Sequence, residues 1–308
     1  MGTIAAVQSV DIDSAESLRR IATEQFDLIE HEMSAWNSSS TLSQINQRAG
    51  HNMPAAVSPH FLKLLNWSLQ MHDYSEGAFN PLMTPVLRLW GFGNVDTPPT
   101  QPATNALQAA AALTRCSDIR VLTHDTTTMI ELTKPGMALD FGAIAKGYAV
   151  DLAWQIAREQ NISNALIDLG GNLRALGEAR PGRGGWLTGI KDPFNADRLI
   201  AKVLLRDGEA IATSGNYERF VTINGKQYAH IIDGRNATPV SGMAAVTVIA
   251  PDAVTADALS TALFILDIEK GRKLIRTNFP ESLALWIPAR QPADIIATEQ
   301  MRQRLQPL

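Results

Sequence analysis

Asp257 and Thr261 are two oxygen-bearing residues placed four positions apart in an apolar helical pattern. Residues at this spacing share one face of a helix. A carboxylate and a hydroxyl are hard donors of the kind that Mg²⁺ takes while it keeps waters and bridges phosphate groups. An acid early in a helix also stabilises the helix dipole without binding a ligand. The pair alone therefore leaves a metal site and a structural role open.

His230 is the second residue that could do chemistry, within the stretch YAHIIDGRNATPV. A histidine can accept a hydroxyl proton near neutral pH, and Asp233, three positions on, could hold its tautomer. The alternative is an ordinary hydrogen-bonded histidine in a strand. The other five histidines, at 31, 51, 60, 72 and 124, show no ligand spacing.

The stretch LDFGAIAKGYAVDLA, residues 139–153, has the pattern of a strand end that turns into a helix. Asp140 and Gly142 precede it, and Lys146 lies about one turn inside. The first turn of a helix presents N–H groups and partial positive charge, which suits a phosphate-bearing ligand such as a nucleotide. The stretch is neither a P-loop nor a GxGxxG fingerprint, and small residues at a helix start also serve close packing.

Two glycine-containing strand ends are weaker candidates. Thr213, Ser214 and Gly215 could bind phosphate through backbone N–H groups or simply form a turn. Gly170 and Gly171 interrupt an apolar strand, which allows close approach of a ligand or a bulge. The sequence holds no GxSxG elbow, so a serine hydrolase is disfavoured.

Apolar periodicity predicts the elements that must position these residues. Helices are expected over 14–34, 59–75 and 104–116, after the 139–142 strand end, after Pro251, and near 267–278. The segment 77–93 is dense in glycine, proline and aromatics, so it should form no long element; its aromatics either fill a core or make a wall for a flat ring. The mixed order of helices and strands predicts an α+β fold with a mixed, largely antiparallel sheet core and flanking helices, as one domain over residues 1–308.

Composition excludes several classes of protein. The net charge is −4 with no basic cluster, so nucleic-acid binding has no electrostatic support. The lone Cys116 excludes an intrachain disulfide and a multi-cysteine metal site. No apolar run reaches the roughly 18 residues needed to span a bilayer, and MGTIAAVQSV lacks the pattern of an export signal.

Taken together and in order, these stretches resemble the ApbE family of FAD:protein FMN transferases. The resemblance covers nearly the whole chain and rests on MGT, WNSSSTLSQIN, GAFNPLMTPVLRLWGFG, LDFGAIAKGYAVD, LIDLGGN, ATSGNY, HIIDGRNATPV and TADALSTAL. It implies that FAD is cut at its pyrophosphate under Mg²⁺, that FMN passes to a threonine hydroxyl of an acceptor protein, and that AMP leaves.

The resemblance also implies roles for individual residues. It implies that Asp257, Thr261 and the backbone carbonyl of Ala143 are ligands of Mg²⁺. It also implies that His230 is the base that deprotonates the threonine, so the expected catalytic residues are His230 and Asp257. The residues expected to contact FAD are Met1, Trp36, Ala78, Phe79, Asn80, Asp140, Lys146 and Ile231. Two other functions remain open: a Mg²⁺-dependent FAD pyrophosphatase that gives FMN and AMP, and a flavin-binding protein without catalysis.

Some positions depart from the family pattern. Asn80 stands where the family commonly has aspartate, and Asn172 and Asn216 also replace frequent acids. A negative charge or a second metal position is therefore expected to be absent. Relatives modify subunits of membrane redox complexes, so an acceptor of that kind is expected. Many are exported lipoproteins whose leader ends just before MGT, which predicts a periplasmic or membrane-associated protein if a leader was removed and a cytoplasmic one otherwise.

Overall fold

The structure, a computed structural model, describes residues 3–93, 98–290 and 295–308. The helices are α1 (Ile12–Met33), α2 (Thr41–Gln47), α3 (Pro59–Tyr74), α4 (Thr84–Leu89), α5 (Thr104–Ala111), α6 (Ala145–Glu159), α7 (Ala253–Ile265), α8 (Ile268–Asn278) and α9 (Glu299–Arg304).

The strands alternate with these helices along the chain. They are β1 (Ala5–Ser9), β2 (Ala55–Ala56), β3 (Ile119–His124), β4 (Thr127–Leu132), β5 (Ala165–Leu169), β6 (Asn172–Leu176), β7 (Trp186–Asp192), β8 (Asn195–Leu205), β9 (Ala210–Gly215), β10 (Phe220–Ile223), β11 (Lys226–Ala229), β12 (Ile232–Asp233), β13 (Thr238–Pro239), β14 (Met243–Ala250), β15 (Leu283–Pro288), β16 (Ile296–Ala297) and β17 (Leu305–Gln306).

All pairings among the described strands are antiparallel. Together with the interspersed helices, this confirms the predicted α+β class. The predicted helix 59–75 is confirmed as α3, which begins where Ser58 Oγ accepts the N–H of Phe61 at 3.1 Å and Pro59 takes the first position.

The chain divides into two compact units. The first unit contains Met1–Ile29, Ala143–Gly215 and Gly242–Leu308, and the second contains Glu30–Gly142 and Asn216–Ser241. The prediction of one domain over 1–308 stays a prediction.

The first unit is built on a seven-stranded sheet in the order β1-β5-β6-β9-β14-β15-β16, with a second sheet β17-β8-β7. Every residue of β14 is buried, as expected for a strand with neighbours on both edges and both faces covered. Helices α6 and α7 pack against this sheet and against each other. The sheet therefore provides a rigid base for both helices.

The second unit contains the sheet β2-β4-β3 and the hairpins β10–β11 and β12–β13. Its 77–93 segment forms only the short helix α4, as its prolines predict. Phe79 and Trp90 are buried, and Trp90 Nε1 donates to the carbonyl of Ala237 at 3.1 Å. These two aromatic side chains therefore fill a core.

Three predicted elements differ from the structure. Residues 139–142 form no strand, because the N–H and carbonyl of Leu139 pair with the side-chain amide of Asn46, at 2.7 and 2.9 Å, and not with a neighbouring strand. The helix expected over 104–116 ends at Ala111. The stretches 184–193, 201–215 and 217–225 favour successive antiparallel strands, whereas β8 and β9 lie in different sheets.

Among the described residues, no helix combines the length and the apolar character that a membrane crossing requires.

Candidate active site

Asp257 lies one turn inside α7 and is buried, with 5% of its surface exposed. Its Oδ2 accepts the N–H of Gly147 at 2.9 Å, and its Oδ1 lies 3.6 Å from Nζ of Lys146. The first turn of α7, which is fully described, holds no acid. Of the two interpretations that the sequence leaves open, the one in which Asp257 stabilises the dipole of α7 itself is not supported, because Asp257 lies beyond the first turn. Its charge instead lies at the start of α6, where the partial charge is positive.

Thr261 lies one further turn along the same face of α7, as its spacing predicts. Its Oγ1 is 3.0 Å from Oγ of Ser214, which is itself 2.8 Å from Oγ of Ser260. Ser214 lies in β9, which ends at Gly215, so it forms no turn, and phosphate binding at this strand end stays a prediction. The result is a row of three hydroxyl groups, two of which, on Ser260 and Thr261, donate to the backbone carbonyl of Asp257 at 2.9 and 3.5 Å.

The donors of this region suit a hard divalent cation. Carboxylate and hydroxyl oxygens, such as those of Asp257 and Thr261, are what Mg²⁺ and similar ions prefer. No group of three acidic, histidine or cysteine side chains with metal-binding geometry occurs in the described ranges. A cation here would therefore need backbone, hydroxyl and ligand oxygens besides Asp257.

The start of α6 brings a second positive group to Asp257. Ile144 caps this helix without a side-chain hydrogen bond, and the half-buried Ala143 precedes it. Lys146 is half-buried, with 27% of its side chain exposed. Ala143, Lys146, Asp257 and Thr261 thus belong to the same compact unit.

The second unit contains most of the residues expected to contact FAD. The carbonyl of Ala78 accepts the N–H of Gly234 at 3.1 Å, which ties the Ala78–Asn80 turn to the loop that follows Ile231. A Cβ atom at Gly234 would lie 2.4 Å from the carbonyl oxygen of Gly77, so only glycine allows this approach. Ala78, Phe79 and Ile231 are buried, at 0%, 3% and 7% exposed.

Asn80 uses its amide to hold its own turn. Its Nδ2 donates to the carbonyl of Thr114 at 2.9 Å, and its Oδ1 accepts the N–H of Leu82 at 2.8 Å. A carboxylate has no proton to donate to a carbonyl. The departure from the aspartate that is common in the family therefore has a structural reason in this chain.

Asp140 joins the same region through its backbone, since its N–H donates to the carbonyl of Pro81 at 2.8 Å. Its Oδ1 accepts the N–H of Gly142 at 2.5 Å, which forms an Asx turn immediately before α6. Met1 lies outside the described residues.

His230 follows β11 and does not lie within a strand, which corrects the prediction. Its Nδ1 lies 3.1 Å from the carbonyl oxygen of Arg219. A carbonyl only accepts, so Nδ1 carries the proton and Nε2 is the basic nitrogen. The carboxylate of Asp233 forms two hydrogen bonds with Arg235, at 2.8 and 2.7 Å, so it is committed to that arginine.

Trp36 exposes 67% of its surface. The guanidinium of Arg219 lies 5.5 Å from the centre of its ring, within cation–π range. Arg219 therefore contacts both Trp36 and His230, one through its side chain and the other through its carbonyl.

Sequence reasoning missed a buried ion pair that supports the Asp257 helix. Asp151 of α6 accepts Nη1 of Arg174 of β6 at 2.8 Å, and it accepts the N–H groups of Ala253 and Val254. Burial raises the pKa of Asp151 to about 6, against the lowering effect of Arg174. No local sequence pattern predicts this pair, because its two members are 23 positions apart.

The fold and this site together define an α+β protein with carboxylate and hydroxyl oxygens where α6 and α7 meet. The sequence model of the ApbE family matches residues 1–286, and the chain belongs to the ApbE family. An FAD:protein FMN transferase of Klebsiella pneumoniae is 35% identical over 272 residues, which cover 87% of this chain and 81% of the relative. Another, of Treponema pallidum, is 34% identical over 308 residues, covering 93% and 82%.

Solved structures agree with this assignment. The flavin transferase ApbE from Vibrio cholerae matches with a TM-score of 0.84 and 27% identity, over 99% of this chain and 96% of that one. The ApbE protein from Thermotoga maritima matches with a TM-score of 0.84 and 31% identity, over 97% and 94%.

Proposed function

We propose that this chain is an FAD:protein FMN transferase that moves FMN from FAD to a threonine hydroxyl of an acceptor protein, with release of AMP and dependence on Mg²⁺. The observation that carries the proposal is the junction of α6 and α7, where the Asp257 carboxylate meets Lys146 and the Gly147 N–H. The relatives are FAD:protein FMN transferases, which supports FAD as the substrate and a protein as the acceptor.

The threonine oxygen attacks the phosphorus of the FMN half, and the bond from that phosphorus to the bridging oxygen breaks. His230 takes the hydroxyl proton on Nε2, since its Nδ1 proton is donated to the Arg219 carbonyl. AMP leaves with the bridging oxygen, and the acceptor gains FMN as a phosphoester. This transfer depends on positioning and charge neutralisation more than on covalent help from the protein.

Asp257 and Thr261, with the Ala143 carbonyl, would hold Mg²⁺, which when bound neutralises charge on the pyrophosphate. Lys146 adds a positive charge at the same helix start. Asp257 keeps the start of α6 in place through Oδ2, which accepts the Gly147 N–H, while Oδ1 faces Lys146 at 3.6 Å and is the oxygen that would be offered to the cation.

The test incubates the protein with FAD, Mg²⁺ and a threonine-bearing acceptor domain, followed by nucleotide analysis and intact mass. AMP together with an acceptor heavier by FMN supports the proposal. AMP with free FMN and an unmodified acceptor indicates a pyrophosphatase, and unchanged FAD indicates binding alone; either result contradicts the proposal.

The matched variants are Asp257→Asn and Asp207→Asn. Asp257→Asn keeps the shape and one oxygen acceptor but removes the charge, so we expect transfer to fall by at least about 100-fold. Asp207 is exposed and accepts the Gly177 N–H in the same unit, so Asp207→Asn should keep wild-type activity. Full activity in Asp257→Asn would remove the metal site from the proposal.

A further inference from the structure

Helices α6 and α7 are joined by two reciprocal carboxylate contacts. Asp257 of α7 accepts the N–H of Gly147 near the start of α6, and Asp151 of α6 accepts the N–H groups of Ala253 and Val254 at the start of α7, at 2.8 and 2.9 Å. Each helix therefore caps the other. The two contacts together fix both the distance and the relative rotation of the helices.

Gly147 makes this contact close. A Cβ atom on it would lie 2.1 Å from the carbonyl oxygen of Ala253 and 2.8 Å from Cβ of Asp257. At this separation, a small rotation of α7 would displace Asp257 from the Gly147 N–H.

Arg174, the partner of Asp151, is fixed by hydrogen bonds to three different residues. Its Nη1 donates to Asp151, its Nε donates to the carbonyl of Gly208 at 3.1 Å, and its Nη2 donates to the carbonyl of Pro251 at 3.1 Å. Its guanidinium lies 3.9 Å from the ring centre of Trp154. Since Pro251 leads directly into α7, the guanidinium fixes the entry of that helix as well as its cap.

Ala253, Asp257 and Thr261 follow one another at four-residue steps along α7, so they lie along one side of the helix at intervals of about 6 Å. A constraint on Ala253 therefore sets the position of the two oxygen donors further along. Asp151 and Arg174 themselves contact neither Asp257 nor Thr261 through any described hydrogen bond.

We propose that Asp151 and Arg174 form a positioning pair that fixes the register of α7 against α6, and so sets how tightly Asp257 and Thr261 hold a divalent cation. Neither Asp151 nor Arg174 is among the residues proposed to hold the cation or FAD. The inference rests on the proposed function, since it assigns the pair to that same metal site.

The test measures Mn²⁺ binding to the whole protein by the loss of the free-ion signal in electron paramagnetic resonance. We compare Arg174→Gln with Arg304→Gln. Arg304 also forms a part-buried pair in the first unit, with Glu209 at 2.7 and 2.6 Å, and it donates to the Leu204 carbonyl. The control therefore loses a similar set of contacts away from α6 and α7.

We expect Arg174→Gln to weaken Mn²⁺ binding by about 10-fold or more, the usual effect of removing a group that orients a metal ligand. Arg304→Gln should bind as wild type does. Arg174→Lys keeps the positive charge but loses the planar guanidinium group. Its affinity for Mn²⁺ should therefore lie between those of wild type and Arg174→Gln. If Arg174→Gln does not fold, Arg174→Lys gives the decisive comparison.

A second readout is hydrogen exchange of the peptide covering 145–150, which Arg174 does not contact directly. It should exchange faster in Arg174→Gln than in Arg304→Gln, because loss of the pair releases the reciprocal Asp257 cap. Wild-type binding of Mn²⁺ by Arg174→Gln, or equal weakening in both variants, would overturn the positioning role alone. A wild-type protein that binds no Mn²⁺ would overturn the metal site and this proposal together.

Discussion

His230 shows how one backbone contact can set the chemistry of a side chain. Because its Nδ1 faces the carbonyl of Arg219, the neutral ring presents Nε2 as its basic nitrogen. The carboxylate that sequence proximity suggested as its partner, Asp233, is instead held by Arg235. The tautomer therefore depends on the carbonyl of Arg219, the residue before β10, and not on an acid.

His230→Ala should slow transfer by about 100-fold or more, the usual contribution of a general base, while FAD affinity stays near the wild-type value. His124→Ala is the control, since that exposed histidine in β3 pairs only with its neighbour Asp125 among the contacts described. Steady-state kinetics and equilibrium FAD titration separate the two effects. An equal loss of affinity and rate would argue against a base.

The raised pKa of Asp151 should make the free energy of unfolding depend on pH. Burial raises its pKa from 3.8 to about 6, so between these values the folded protein holds a proton that the unfolded chain releases. The free energy of unfolding should therefore fall as pH rises from about 4 to about 6, by up to about 3 kcal/mol at 1.36 kcal/mol per pH unit.

Urea denaturation across that pH range measures this contribution, with Asp151→Asn as the comparison. The variant loses the Arg174 pair at every pH, but it has no carboxyl to titrate, so this part of the slope should disappear. The same slope in both proteins would show that Asp151 does not titrate there.

At the scale of elements, the α6–α7 contact depends on Gly147. Alanine normally favours a helix over glycine by about 1 kcal/mol. Here the added methyl group would meet the Ala253 carbonyl at 2.1 Å, and backbone cannot move aside easily.

Gly147→Ala should therefore lower the free energy of unfolding by about 2 kcal/mol or more, the range of overpacking. It should also lower transfer activity, since the clash pushes Asp257 away. The control is Gly271→Ala in α8. The nearest atom to its added Cβ would be a methyl carbon at the flexible end of Leu263, at 2.9 Å. Thermal and urea unfolding compare the two, and equal stability in Gly147→Ala and wild type would contradict a close helix contact.

At the scale of the whole molecule, ligands that bind the folded state should raise its stability by mass action. Free FAD at 100 times its dissociation constant contributes about 2.7 kcal/mol. For a chain of 308 residues this corresponds to about 5 °C in Tm. Mg²⁺ should add to the effect of FAD in the wild-type protein.

Asp257→Asn should keep the part of the shift that FAD gives alone and lose the Mg²⁺-dependent part. Differential scanning fluorimetry with FAD, Mg²⁺ or both checks this separation. An undiminished Mg²⁺ increment in the variant would place the cation elsewhere.

Much of this molecule was predictable from local sequence. The bounds of α3 follow from Ser58 and Pro59, and the Asp257–Thr261 face follows from a four-residue step, because capping and helical periodicity involve near neighbours. The sequence pattern correctly predicts the helix over 145–159, but it also predicts a strand before this helix that the structure does not contain. The apolar pattern around Leu139 predicts a strand. In the structure, the N–H and carbonyl of Leu139 instead form hydrogen bonds with the side chain of Asn46, 93 positions away.

Periodicity and composition are enough to predict the α+β class, most element positions and the types of chemical group available. Which of these groups meet depends on how the elements pack. Asp257 meets Gly147 across 110 positions, and Ser214 meets Thr261 across 47. The physical reason is that such partners are chosen by the packing of α6 and α7 on a common sheet, and the energy of that packing is spread over residues that no local pattern links.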